Sequence, residues 1–187
     1  MGCELILVRH AEPSIPEPGG PDDLHRGLTP RGRAQAQQLI PELVSLAPVA
    51  VASSPYLRAV QTVQPTARHL GVPVTTDPAL REWDSGLEPR PDYADHYAAS
   101  WADATFARPG GESLAQLSER AVAALRALAA NFDGGAVIVG SHGTFISRAL
   151  AGFGVITDWP FSRVMPMPAV YRLDLAGHGI RASGPGL

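Results

Sequence analysis

The sequence predicts an α/β domain in which helices cover a largely parallel sheet. Three short apolar runs support this prediction, and segments with helical periodicity lie between them. An unbroken apolar run is typical of a strand that is buried on both faces, as strands of a parallel sheet are. The runs span residues 5–8, 49–52 and 136–139.

The first helix is predicted to begin after Thr29, which can cap it, with Pro30 at its first position. It should run to about residue 46 and bend at Pro41. A second helix is predicted from about residue 55 to 70, with a serine cap before it and Pro55 at its first position, and Gly71 should end it. These two helices follow the first two apolar runs, as expected for alternating strands and helices.

The second half of the chain has the same alternation. Ser113 and Gln116 form a capping box that opens a helix extending to about residue 131. A further helix is predicted over residues 144–151, directly after the third apolar run. Residues 169–175 alternate apolar and polar side chains, which predicts a half-buried edge strand, and Ile180 is placed in a last short strand.

Length and composition point to one compact domain, residues 1–187, with a small, mostly helical excursion at 84–111. The net charge of −3 favours neither nucleic acid nor an anionic membrane as a partner. All 15 basic residues are arginine, so a Schiff-base or phosphate-binding lysine is excluded. A single cysteine, Cys3, and the lack of an apolar run of about 18 residues favour a cytoplasmic protein.

The excursion is rich in aromatic side chains. Together with Trp83 it holds Tyr93, Tyr97, Trp101 and Phe106. These side chains either form a lid over a substrate or pack as the local core of the excursion, and the two interpretations are compatible.

Polar side chains follow two of the predicted strands at the point where each ends. Arg9 and His10 come after the first strand, and His142 follows the third. Ligands bind at the carboxyl ends of strands in open α/β sheets, so these residues should meet there. Arg58, in the first turn of its helix, and the helix that begins after Gly143 should converge on the same place. Guanidinium groups match phosphate oxygens, so the set predicts a phosphoryl-binding site.

Other chemistry fits these residues less well. A zinc ion bound by His10 and His142 would lack a third ligand at short spacing, and neighbouring arginines would repel it. The Gly-Ser-His-Gly segment at 140–143 lacks the nucleophile elbow of serine esterases. An imidazole that attacks phosphorus and carries the group covalently is the better interpretation.

Six motifs then occur in a fixed order along residues 4 to about 150. They are 7–10, 28–32 with 35–36, 53–58 with 61–62, 80–82, 109–113 and 140–143. With these motifs the chain closely resembles the histidine phosphatase superfamily, also called phosphoglycerate mutase-like. The resemblance implies a three-layer α/β/α sandwich around a mainly parallel sheet, a hydrolase acting on phosphomonoesters, and neither metal nor organic cofactor.

The resemblance also implies residue roles. His10 is the nucleophile that becomes phosphohistidine, with its other ring N–H held by a backbone carbonyl. Arg9, Arg58 and a protonated His142 form the phosphate pocket, and Glu82 is the proton donor. Three further carboxylates lie in loops typical of the family and are alternatives to Glu82 in this role: Glu12, Glu88 and Glu112.

The chain departs from the family where substrates are selected. Ala11 stands where many members have glycine, and prolines at 13 and 16 replace the mutase-like continuation. The substrate therefore cannot be predicted beyond a phosphorylated small molecule, with a phosphoprotein as the alternative. A phosphoglycerate-type mutase and a non-catalytic phosphate-binding domain stay open as alternative functions. The oligomeric state is not predicted.

Overall fold

The computed structural model describes residues 2–17, 19–87, 92–132, 134–175 and 179–187. Within them a mixed, mostly parallel sheet has the strand order β3-β2-β4-β1-β5-β6. The strands are β1 (Glu4–Arg9), β2 (Pro48–Ser53), β3 (Val74–Thr76), β4 (Ala136–Ser141), β5 (Ala169–Asp174) and β6 (Arg181–Ser183). The helices are α1 (Pro30–Gln38), α2 (Ile40–Ser45), α3 (Leu57–Leu70), α4 (Tyr93–Ala102), α5 (Leu114–Ala130), α6 (Gly143–Gly152) and α7 (Trp159–Val164).

The sequence of strand β1 is an unbroken apolar run because both of its faces are buried. Its side chains alternate between the two faces of the sheet, and both faces are covered. Leu5 and Leu7 belong to a core shared with α5 and α6, whereas Ile6 and Val8 belong to a second core shared with α2 and α3. The predicted three-layer α/β/α arrangement is confirmed.

The sheet is parallel except at β5 and β6. Strand β1 pairs in parallel with β4 and antiparallel with β5, and β5 also pairs with β6. The prediction of β5 as an edge strand was therefore wrong, because the short strand β6 covers it. Its alternating pattern reflects one exposed face, where Arg172 donates to Glu4 of β1 at 2.6 Å.

Local signals set most helix boundaries. Thr29 caps α1 by accepting a hydrogen bond from the Gly32 backbone at 2.9 Å, and the predicted bend near Pro41 is a break between α1 and α2 at Leu39. Helix α3 begins at Leu57, two residues later than predicted. Ser54 is not its N-cap, which is Tyr56; the Ser54 hydroxyl accepts the Tyr56 backbone N–H at 3.3 Å and contacts a histidine ring at 2.8 Å.

The capping box of α5 is present, with reciprocal hydrogen bonds between Ser113 and Gln116. Helix α7, which the sequence did not predict, packs beside α4, where Tyr97 and Trp159 have ring centroids 6.0 Å apart. Tyr97 also packs edge-on to Trp83 at 4.8 Å, so part of the aromatic segment is local core. No helix in the described residues is both long and apolar enough to traverse a bilayer.

Candidate active site

The pairing of β1 with β4 brings the two histidines together. Arg9 is in register with Ser141, so the next residue of each strand, His10 and His142, emerges at the same edge of the sheet. The His10 backbone N–H donates to the Ser141 carbonyl at 3.0 Å, and the two ring centroids lie 5.3 Å apart. The predicted meeting of these residues at one end of the sheet is thus present in the structure.

His10 is buried and held in one orientation. Its Nδ1 lies 2.8 Å from the Ala11 carbonyl oxygen, which can only accept, so Nδ1 carries the proton and Nε2 has a lone pair. The Ala11 backbone N–H donates to the Thr62 hydroxyl at 2.9 Å, which fixes the peptide between His10 and Ala11. Burial lowers the pKa of His10 to about 3, with the charges of Arg58 and Arg9 acting in the same direction against the Ala11 hydrogen bond. The ring is therefore neutral at neutral pH.

His142 is fully buried beside it. Its Nε2 lies 2.8 Å from the Ser54 hydroxyl, and the Tyr56 ring packs edge-on at a centroid distance of 5.0 Å. Burial, followed by the nearby His10 and Arg58, lowers the pKa of His142 well below its ordinary value. The expected protonated His142 is thus not the form of the free protein.

Both predicted arginines lie at the site. Arg9 lies over Gly143, where an added Cβ would be 3.1 Å from the Arg9 Nε, and its terminal nitrogen donates to the Met165 carbonyl. Arg58 is buried under Tyr56, with its guanidinium carbon 4.8 Å from the ring centroid. Among the buried nitrogens that have no hydrogen-bond partner in the described part of the chain, three lie at this site: Arg9 Nε, Arg58 Nε and His142 Nδ1. Buried donors of this kind normally have partners, so they mark a place for an anion.

Glu82 lies at the amino end of α6. Its carboxylate accepts the backbone N–H groups of Phe145 at 2.9 Å and Thr144 at 3.3 Å. These two backbone N–H groups at the start of α6 are therefore occupied by Glu82. Burial raises the pKa of Glu82, opposed by the hydrogen bonds from Trp83, Phe145 and Thr144.

Two of the carboxylates that are alternatives to Glu82 as proton donor bind other side chains. Glu112 binds Arg120 through both of its oxygens, and Glu12 accepts from Thr29 at 2.8 Å. Glu88 lies outside the described residues. Arg120 also donates to the Glu82 carbonyl at 3.3 Å, so the Glu112–Arg120 pair holds the segment that carries Glu82.

Sequence reasoning missed several neighbours of the site. Asp23, in the loop before α1, accepts hydrogen bonds from both Arg58 and Arg26, and Ser54 and Tyr56 contact the His142 ring. Nothing in the sequence distinguishes Asp23 from an ordinary loop aspartate. Ser54 did carry a signal, since it follows a buried strand, but the signal was interpreted as a helix cap.

A six-stranded, mostly parallel sheet with paired histidines at its carboxyl end places the protein among phosphoglycerate mutase-like α/β proteins. The chain belongs to the histidine phosphatase superfamily, because the profile of its branch 1 matches residues 5–183. The prediction of this family is confirmed.

Solved structures with the same fold include several phosphatases. YhfR of Bacillus stearothermophilus has a TM-score of 0.79 at 22% identity, with 98% of this chain and 96% of that chain covered. Phosphoserine phosphatase of Entamoeba histolytica, in complex with 3-phosphoglyceric acid, has a TM-score of 0.79 at 22% identity, covering 99% and 98%. A mycobacterial glucosyl-3-phosphoglycerate phosphatase has a TM-score of 0.74 at 24% identity, covering 97% and 96%. At such identities the likeness concerns the fold.

Proposed function

We propose that this protein hydrolyses phosphomonoesters through a phosphohistidine intermediate on His10. The observation that carries the proposal is the fixed, neutral His10 ring, whose Nε2 is free because Nδ1 is held by the Ala11 carbonyl. The unpartnered nitrogens of Arg9, Arg58 and His142 beside it supply donors for phosphate oxygens. Phosphoryl transfer depends on this combination of positioning and charge stabilisation.

In the first step, His10 Nε2 attacks phosphorus and the bond from phosphorus to the leaving oxygen breaks. That oxygen takes the proton of the Glu82 carboxylic acid, whose raised pKa favours the protonated form. Arg9 and Arg58 bind the equatorial oxygens. A phosphoryl dianion beside His142 raises the pKa of that ring, so binding of the substrate favours its protonation.

In the second step, the Glu82 carboxylate removes a proton from water while the water oxygen attacks phosphorus. The phosphorus–nitrogen bond breaks, phosphate leaves, and His10 returns to its neutral form. Glu82 is then protonated again and ready for the next substrate. A single carboxyl group therefore serves as acid and then as base.

The substrate we propose is a phosphorylated small molecule, processed in the cytoplasm by one domain that spans residues 1–187. The names of the phosphatases with this fold refer to small phosphorylated compounds, which supports this choice. No metal ion is invoked, because two guanidinium groups adjoin the histidines and no three metal-binding side chains cluster in the residues that the structure describes. The arginines themselves supply the positive charge.

Hydrolysis of an aryl phosphate tests this proposal. We expect turnover by the wild type, none by His10→Ala, and unchanged turnover in the presence of excess chelator. Denaturing gels of protein mixed with labelled substrate should show acid-labile phosphate on the wild type and none on His10→Ala. A matched variant, His69→Ala, changes an exposed histidine and should behave as the wild type.

The outcomes separate the alternatives. Residual activity of His10→Ala close to that of the wild type would remove His10 from its role. Phosphate binding without turnover would identify a non-catalytic domain. Transfer of the phosphoryl group to a second alcohol in preference to water would identify a mutase.

A further inference from the structure

We propose that Asp23 is a positioning residue that holds the two terminal nitrogens of Arg58 and leaves its Nε for the phosphoryl group of the substrate. The proposal rests on the proposed function, since it assigns phosphate binding to Arg58. It concerns a residue of the loop between β1 and α1, outside the motifs that the sequence analysis identified.

The contacts between Asp23 and Arg58 are bidentate. The two terminal nitrogens of Arg58 each lie 3.1 Å from a different Asp23 carboxylate oxygen, and one of them also donates to the Asp23 carbonyl at 2.7 Å. Both terminal nitrogens of the guanidinium are therefore engaged by Asp23. The Nε atom, on the remaining edge, is buried and has no partner in the described residues.

A second arginine fixes Asp23 in turn. Arg26 donates to the Asp23 carboxylate from Nε at 3.1 Å and from a terminal nitrogen at 2.6 Å, and its other terminal nitrogen donates to the Ser14 carbonyl at 2.8 Å. Asp23 therefore joins two guanidinium groups, of which only Arg58 is almost completely buried, with 4% of its side chain exposed. A carboxylate between two cations stays ionised, and Arg58 and Arg26 lower the pKa of Asp23 against the effect of burial.

The loop itself is attached to the helix that carries Arg58. The Leu57 backbone N–H donates to the Leu24 carbonyl at 2.9 Å, and the Leu28 backbone N–H donates to the Gln61 side chain at 2.8 Å. The segment that directly follows Asp23 is thus attached to the first two turns of α3. This attachment fixes the direction of the Arg58 side chain before any anion arrives.

Asp23 should strengthen phosphate binding by Arg58 for two physical reasons. An arginine side chain has many rotamers, and a buried guanidinium without an anion would have a large desolvation cost. A bidentate carboxylate restricts the side chain to one rotamer and gives the buried guanidinium a counter-charge. It also leaves one defined edge of the guanidinium facing the site. A different role would be competition, in which the carboxylate occupies the fork and must leave when phosphate binds. The two roles predict opposite effects of removing the charge.

The test compares Asp23→Asn with the matched variant Asp22→Asn. Asp22 belongs to the same loop but its carboxylate pairs with His25, and 67% of its side chain is exposed. Binding of inorganic phosphate is measured by calorimetry, alongside kcat and KM for an aryl phosphate. If Asp23 positions Arg58, Asp23→Asn should bind phosphate roughly tenfold more weakly and raise KM more than it lowers kcat, whereas Asp22→Asn should match the wild type. Unchanged or tighter binding by Asp23→Asn would overturn the proposal, and tighter binding would identify a competitor.

A double-mutant cycle with Arg58→Lys shows whether Asp23 acts through Arg58. Lysine has neither the fork nor Nε, so Asp23→Asn should change phosphate binding less than about twofold in that background. A full tenfold effect in the Lys background would contradict the proposal. Calorimetry needs no turnover, so a protein that binds inorganic phosphate but does not hydrolyse an aryl phosphate would refute the proposed function and leave the assignment of Asp23 intact.

Discussion

The buried His10 ring makes the stability of the protein depend on pH. In the unfolded chain this histidine takes up a proton near its ordinary pKa of 6.5, whereas in the folded protein burial lowers the pKa to about 3. Between these values the unfolded state binds more protons than the folded state. Acidification therefore favours unfolding, and the stability present above the unfolded pKa is lost as the pH falls towards the folded pKa.

The size of the effect follows from the two pKa values. For a single site, lowering the pH from about 7 to about 5 should reduce the free energy of unfolding by about 2 kcal/mol. His142 acts in the same direction, since burial lowers its pKa as well. A loss of this size is a large fraction of the stability of an ordinary domain, which is on the order of 5–15 kcal/mol.

Urea unfolding at the two pH values measures the contribution of His10. The variant His10→Gln keeps a polar side chain of similar size but cannot titrate, so its stability should fall by about 2 kcal/mol less than that of the wild type. His69→Gln, at an exposed position of α3, provides the control and should lose as much stability as the wild type. Equal losses in His10→Gln and the wild type would show that His10 titrates alike in both states, and the reasoning from burial would fail.

Two further predictions concern the carboxylate and the backbone around the site. Glu82→Gln should lower kcat for an alkyl phosphate by about 10²–10⁴-fold, because the leaving oxygen loses its proton donor. The urea midpoint of this variant should change little. A rate within threefold of the wild type would exclude Glu82 as the acid. Gly32→Ala should destabilise the protein by about 2 kcal/mol or more, because the added Cβ would lie 2.1 Å from the Glu12 carbonyl oxygen. Gly179→Ala, which meets nothing within 4 Å, is the control for the urea denaturation of Gly32→Ala, and equal midpoints for the two would contradict the packing argument.

How far the sequence predicts the site depends on how each residue is attached to the sheet. Arg9, His10 and His142 follow directly from the strand patterns, because an apolar run fixes where a strand ends. Predicting the place of Arg58 requires one further inference, the position at which its helix begins. Asp23 could not be predicted, because its place depends on a loop that docks on α3 through contacts that leave no periodic signal.

The errors in the fold have similar causes. The alternation in β5 shows that one face is exposed but does not indicate which strand lies beside it, so it could not predict β6 as a neighbour. The start of α3 was placed too early because a serine and a proline resemble a helix cap. The helix begins only after Tyr56, and the Ser54 hydroxyl both accepts the Tyr56 backbone N–H and makes a tertiary contact with His142. The position of Glu82 on the amino end of α6 is likewise a tertiary contact.

The pairing of β1 with β4 has a consequence for how the protein folds. The first strand and the fourth come from opposite parts of the chain and share no short connection, and such non-local parallel pairs form slowly. A partly folded chain whose first strand has not yet docked cannot bring the two imidazole rings together. Recovery of catalysis during refolding should therefore lag behind the recovery of helix content, and the lag would report the docking of the amino-terminal strand.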